Sequence, residues 1–290
     1  MAQVIASQGG VARTTDFLLA GFGSHALTSA VRSGRIVRAR RGRYVSPSAP
    51  VEFLRAVRVG GRLAGYSAAR SYGIATPPTY PLEVHVPPSA SRLRQPNDRF
   101  KKLDLAADTS VGICRERLSF DAHPDPFWVS VMDTLRRILL RGDPDDGVAA
   151  LDSARHRGLV DRVDVELLRR SLSVSRQSLV DSSRDDVPEY LESIARQKLK
   201  RAGFEVRVQV NVLDERWIDL LIGDRLAIEC DGKGKYENGA TVDKDRKRDA
   251  FLEALGYHVI RLSYAMVLYD WDATLSMIMA IVDRGDHIAR

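Results

Sequence analysis

Cysteine is nearly absent: Cys114 and Cys230 stand far apart in 290 residues and in no metal-ligand spacing, which excludes a disulfide framework and suggests no zinc site. No stretch approaches the roughly eighteen uninterrupted apolar residues of a membrane-spanning helix, and no basic segment followed by an apolar one opens the chain. These absences, with reduced thiols, predict a cytoplasmic protein with no membrane partner. Acidic residues are scarce at one end. Within residues 1–50 Asp16 is the only acid, against Arg13, Arg32, Arg35, Arg38, Arg40, Arg41 and Arg43. A field of one sign attracts polyphosphate, although a solvated basic face would show the same run. His85, His123 and His156 recur with no carboxylate or cysteine spacing, so no chemistry is assigned to them.

What is present suits a globular chain: 44% hydrophobic, 28% charged, net charge +6, and length enough for two or three cores. Three regions are expected. Residues 1–50 read as helix, turn, helix and hairpin. Ala2 to Gln8 forms a short helix ended by Gly9-Gly10, and Thr14 or Thr15 caps a second helix carrying Phe17 and stopped by Gly21. Ser24 caps a third helix to Ser33, with Ala26, Leu27 and Ala30 inward. Ile36–Arg40 and Arg43–Val45 are short strands about an Arg41-Gly42 turn, a β-wing. In this winged helix-turn-helix plan the third helix offers His25, Thr28, Ser29 and Arg32 to a DNA groove. Arg38, Arg40, Arg41 and Arg43 of the wing then grip phosphates. A helical hairpin with a basic wing could instead bind protein.

Residues 51–180 form a mixed α/β middle region. Gly65–Tyr72 reads as helix, Leu82–Val86 as strand and Arg94–Lys102 as polar loop. Phe127–Leu140 shows helical apolar spacing, two shorter helices follow through Leu172, and Ser173–Asp186 reads as a linker.

The chemistry is expected in residues 185–290. Pro188 opens a helix to about Ala202, with Glu192 beside its apolar stripe, and Glu205–Val212 alternates as a half-buried strand carrying Gln209. The next hairpin has two possible registers. A three-residue loop, Gly223 to Arg225, pairs Ile222 with Leu226, Leu220 with Ile228 and Ile218 with Cys230, all apolar; a two-residue loop mixes charge into that face. The apolar register sets Asp219 opposite Glu229 and Trp217 opposite Asp231. Two opposed carboxylates repel unless a cation lies between them, and hard oxygen ligands suit Mg²⁺ or Mn²⁺. Lys233, Lys235 or Arg225 could neutralise them instead. Asp243–Leu255 reads as a helix with Lys244, Arg246, Lys247 and Arg248 on its early turns, as phosphate binders or as a solvated surface, before a strand at Tyr257–Leu262.

The order Glu192, Gln209, Ile218-Asp219-Leu220, Ile228-Glu229-Cys230-Asp231-Gly232, Lys235-Tyr236, Asp245 to Asp249 and Gly256 to Arg261 resembles the PD-(D/E)XK nuclease superfamily. The nearest branch is the actinobacterial domain related to very-short-patch-repair (Vsr) endonucleases. Gly9-Gly-Val through Arg41-Gly-Arg-Tyr44 is similar to the winged helix of AbiEi-type antitoxins, and Ser67–Gly73 with Val84–Pro87 resembles the rest of that module. The resemblance implies a restriction-endonuclease-like α/β core in which Asp219 and Glu229 bind metal, Glu192 contributes a helical carboxylate and Gln209 orients the site. Asp231 stands where the superfamily usually has lysine, so Lys235 or Lys247 must supply the base or the electrostatic stabiliser. Lys233, Arg246 and Lys247 are the further DNA contacts. The expected function is a DNA-binding, divalent-metal-dependent endonuclease or nickase. The alternative is an AbiEi-like antitoxin or transcriptional regulator, with a cognate toxin as partner and an inactive nuclease fold.

Overall fold

The computed structural model describes residues 1–120, 127–213, 216–231 and 239–289, with the backbone alone for 216 and 239–246. The chain is mixed α/β and forms two compact units, Met1–Gly142 with Arg162–Gln177, and Asp143–Asp161 with Ser178–Arg290. Among the described residues no helix is long and apolar enough to cross a membrane.

The first unit opens with α1 (Ala2–Ser7), β1 (Val11–Arg13), α2 (Thr14–Leu19), α3 (Ser24–Arg32), β2 (Val37–Arg40) and β3 (Arg43–Val45). Strand β1 is absent from the sequence expectation. Gly9 and Gly10 both adopt left-handed φ, 64° and 94°, and turn the chain so that Val11 lies beside Val45. The antiparallel sheet β1-β3-β2 results. Helix ends also differ from expectation. Arg13, not a threonine, caps α2, its N–H donating to Asp16 Oδ2 at 2.6 Å, and Gly23 precedes α3. Ile5, Phe17, Leu27, Ile36 and Tyr44 form the core of this part, with Phe17 edge-on to Tyr44 at 5.5 Å. Burying side chains of this size contributes about 1.5–3 kcal/mol each.

Next come α4 (Val51–Val59), β4 (Arg62–Leu63), α5 (Gly65–Ser71), β5 (Leu82–His85), β6 (Val111–Cys114) and α6 (Val131–Arg141). The three strands form a second sheet in the order β4-β5-β6, parallel between β5 and β6. The helix expected from Phe127 begins at Val131. Its first residues are extended instead, because Phe127 O accepts from Leu63 N and Val129 N donates to Leu63 O, which satisfies the exposed edge of β4. Helix α7 (Pro144–His156) belongs to the second unit and α8 (Arg162–Arg170) to the first. The stretch expected to be a linker holds a helix, α9 (Val174–Asp181).

The second unit continues with α10 (Tyr190–Arg201), β7 (Val206–Leu213), β8 (Arg216–Ile222), β9 (Leu226–Asp231), α11 (Gly239–Ala254), β10 (His258–Ser263), α12 (Tyr264–Leu268) and α13 (Trp271–Asp283). Helix α10 starts after Glu189 rather than at Pro188. Its sheet runs β10-β9-β8-β7, antiparallel except for the parallel pair β9 and β10. The hairpin adopts the three-residue loop, with Ile222 beside Leu226 and Leu220 beside Ile228. Both sides of the sheet are covered. Leu221 and Ala227, on the side expected to be polar, are buried with Leu252 of α11, so β8 and β9 read as interior strands.

Helix α10 is buried along most of its length because α7 covers its far side. Tyr190 Oη donates to Asp146, and Arg201 pairs with Asp145. Asp152 accepts from Ser193 Oγ at 2.6 Å, Arg196 Nη2 at 2.7 Å and Arg184 N at 2.6 Å. Burial raises the Asp152 pKa while Arg196 pulls it back down.

Candidate functional site

Three acids from three elements of the second unit meet at the middle of the sheet. Glu192 comes from α10, Asp219 from β8 and Glu229 from β9; Glu192 is 5% and Glu229 3% exposed. Burial, and then the charge of Asp219, pushes Glu192 up to about 8 and Glu229 up to about 7. Asp219 is itself raised by burial. Each carboxylate therefore resists ionisation because its neighbours are acidic and water is excluded.

The ladder between β8 and β9 ends at Leu220 and Ile228, one pair short of the expected contact between Asp219 and Glu229. Asp219 replaces the missing backbone bond: its Oδ2 accepts from Cys230 N at 2.8 Å. A carboxylate taking a main-chain donor inside a sheet cannot be read from side-chain alternation. The ladder likewise does not extend to the expected pairs of Ile218 with Cys230 and Trp217 with Asp231; on the other edge of β8, Trp217 lies beside Asn211.

On the neighbouring strand Gln209 holds φ at 46°, the only left-handed non-glycine among the described residues, and the register of β7 skips it. The register runs on across it, from Val208 beside Leu220 to Val210 beside Ile218, and Gln209 Nε2 donates to Glu192 Oε2 at 2.9 Å. A residue held in this region costs of order 1–3 kcal/mol, which marks Gln209 as a positioned side chain.

Of the three bases that could neutralise the acids, only Arg225 is among the described residues. Arg225 donates to Leu255 O, while Lys233 and Lys235 lie outside the described residues. The cation facing Glu229 is Arg248 of α11, 2.9 Å from Glu229 Oε2, and it also donates to Trp217 O. Helix α11 begins four residues earlier than expected, so residues 244–248 lie beyond its first turn rather than at its dipole-bearing end. Lys247 is exposed; the Arg246 side chain is outside the described residues. Arg261, beside Glu229 in the parallel register, bonds Asp249 through two nitrogens and Asp231 through a third at 3.1 Å. Sequence reasoning offered Arg248 as a phosphate binder or a solvated surface but not as the partner of Glu229, and it missed Arg261 as a site residue. The parallel return of β10 was the signal that could have placed Arg261.

Acids exceed bases here: Glu192, Asp219, Glu229, Asp231 and Asp249 face Arg248 and Arg261. Among the described residues no group of three or more His, Cys, Asp or Glu side chains is placed to hold a metal ion. The donors nevertheless fit a hard cation that keeps waters and takes further ligands from a phosphate. They are carboxylate oxygens, and the Cys230 thiol is held protonated by burial.

In the first unit His25, Thr28, Ser29 and Arg32 are all exposed on α3, with Thr28 Oγ1 donating to Ser24 O. Arg41 is exposed and Arg38 and Arg43 are half-buried. Arg40, expected as a phosphate contact, is half-buried and donates to Val59 O and Arg92 O at 2.9 Å each. His85 and His156 have ring nitrogens against the carbonyls of Glu116 and Asp185; His123 lies outside the described residues.

Comparison with known families agrees with both ends of the chain. Residues 192–282 match the restriction-endonuclease-like family REase_MTES_1575. Residues 1–47 match the family described as transcriptional regulator, AbiEi antitoxin. No curated protein matches the chain.

Proposed function

We propose that the second unit is a nuclease of the PD-(D/E)XK plan, related to the Vsr type, that hydrolyses DNA phosphodiester bonds as an endonuclease or nickase. The first fifty residues serve it as a winged helix supplying affinity. The observation that carries this reading is the meeting of two buried carboxylates, Glu192 of α10 and Glu229 of β9, with the half-buried Asp219 of β8, and with too few cations beside them. Asp219 and Glu229 would hold Mg²⁺ or Mn²⁺; bound there, such an ion polarises a phosphoryl oxygen and eases deprotonation of water. Asp219 keeps its orientation through Cys230 N, which leaves Oδ1 free of hydrogen bonds among the described residues. Glu192 is aimed by Gln209. Arg248, 36% exposed beside Glu229, would be within reach of a backbone phosphate. Lys247 or Lys235 supplies the positive charge that Asp231 does not.

Supercoiled plasmid incubated with Mg²⁺ or Mn²⁺ is the test. Wild type should nick it, and Asp219→Ala should lower the rate more than about a hundredfold, beyond the loss typical of a supporting residue. A rate unchanged by the substitution refutes the assignment.

A second reading is favoured by Asp231, tied to Arg261, and by the Arg248 ion pair on Glu229. It is a regulator or antitoxin, paired with a toxin, whose nuclease-like unit only binds. Footprinting on the DNA upstream of its own gene separates the two: specific protection without cleavage favours regulation.

A further inference from the structure

The loop joining β5 to β6 reads from sequence as a polar connection, yet it completes an arginine-lined groove within the first unit. Arg92, Arg94 and Arg99 of this loop share a cavity of about 460 Å³ with Arg38, Arg40 and Arg41. A larger cavity of about 1040 Å³ shares Arg40, Arg41 and Arg92 with it and adds Arg13 and Arg43. Arg13 and Arg43 stand directly opposite in the sheet, a like-charged pair with Asp16 as the acid lining the same cavity.

Three of the guanidinium groups are held by carbonyl oxygens, not by carboxylates. Arg40 donates to Val59 O and Arg92 O, Arg99 to Arg38 O at 2.6 Å, and Arg94 to Phe100 O at 3.3 Å. Among the described residues none of Arg38, Arg40, Arg41, Arg92, Arg94 and Arg99 has an ion-pair partner. Carbonyl bracing fixes Arg40, Arg94 and Arg99 and leaves their charge for a ligand. Phe100 lines the same cavity, 77% exposed, with the Arg99 guanidinium 4.9 Å from its ring centroid. An aromatic ring left in water beside fixed cations has no packing role in the unit. Rows of guanidinium groups with an exposed ring are the pairing that tracks a phosphate backbone while stacking on a base.

We propose that this groove binds an unpaired DNA strand, with Arg38, Arg41, Arg92 and Arg94 on successive phosphates and Phe100 stacked on a base. The proposal deepens the DNA-binding reading of the first unit and is independent of cleavage. Duplex contact is expected through α3, whereas the groove serves single-stranded or locally opened DNA. The full chain would then hold a site where one strand is exposed.

Binding of the full-length protein to a fluorescent oligo-dT and to a duplex of equal length, both in EDTA, tests this. Arg92→Ala with Arg94→Ala should weaken oligo-dT binding and make the slope of log affinity against log salt shallower by about 1.4, at roughly 0.7 per single-strand phosphate contact. Phe100→Leu should lower oligo-dT affinity about 5- to 100-fold and leave duplex binding unchanged, while Phe100→Trp retains affinity and its fluorescence is quenched on binding. Equal oligo-dT affinity in Phe100→Leu and wild type, with duplex binding intact, overturns the groove alone. Loss of both oligo-dT and duplex binding in wild type overturns the DNA reading of the unit as well.

Discussion

A carboxylate kept from water resists ionisation, and Glu192, Asp219 and Glu229 do so together. The folded protein therefore binds protons at Glu192 and Glu229 more tightly than the unfolded chain, whose glutamates titrate near 4.5. The stability these groups contribute is complete below that value and is lost as pH rises through about 7 and about 8. Metal-free wild type should thus lose Tm between pH 5 and 9, and Glu192→Gln should lose less over the same range. Parallel Tm profiles for the two proteins in EDTA would contradict the assignment. Asp152 poses the opposite case, since its neighbours complete it. Arg196 and Asp152 are buried at 1% and 0% exposure, so Asp152→Ala strands a guanidinium in the interior. Urea unfolding should show a loss of about 3–5 kcal/mol, the usual consequence of breaking one side of a buried pair.

At the scale of elements, much was legible. The three-residue loop of the hairpin followed from apolar matching across Ile222, Leu226, Leu220 and Ile228, because a one-residue slip would have put charge on a buried face. Less legible was whatever tertiary partners decide. Phe127 to Val129 has helical spacing, yet the open edge of β4 recruits it as extended chain; β1 depends on two left-handed glycines that sequence marks only as a helix stop. The candidate acids were visible, whereas their supports were not: the Cys230 N bond to Asp219, the Arg248 contact and the turn of Gln209 all break the regular pattern that a sequence reader relies on. Gln209→Gly checks the last of these. It should relieve backbone strain and hold or raise Tm, while lowering plasmid nicking through the loss of the bond to Glu192. A fall in Tm with nicking intact would show that the twist serves the sheet and not the site.

Over the whole molecule the chain path matters, because residues 143–161 pack with the second unit although residues 162–177 belong to the first. A fragment 185–290 lacks Asp145, Asp146 and Asp152, and so loses the partners of Arg201, Tyr190 and Arg196. A single stranded buried charge already consumes a large share of an ordinary domain's 5–15 kcal/mol stability, on the order of 3–5 kcal/mol. Circular dichroism should find fragment 185–290 largely unfolded and fragment 143–290 folded; equal melting of the two would refute this division. The charge excess at Glu192, Asp219 and Glu229 underlies the whole functional account, and a titration of full-length protein with Mn²⁺ followed by electron paramagnetic resonance addresses it directly. The account predicts that wild type at pH 8 removes a single ion per chain from the free signal and that Asp219→Asn does not. A free Mn²⁺ signal reduced equally by both proteins, or by neither, would contradict it.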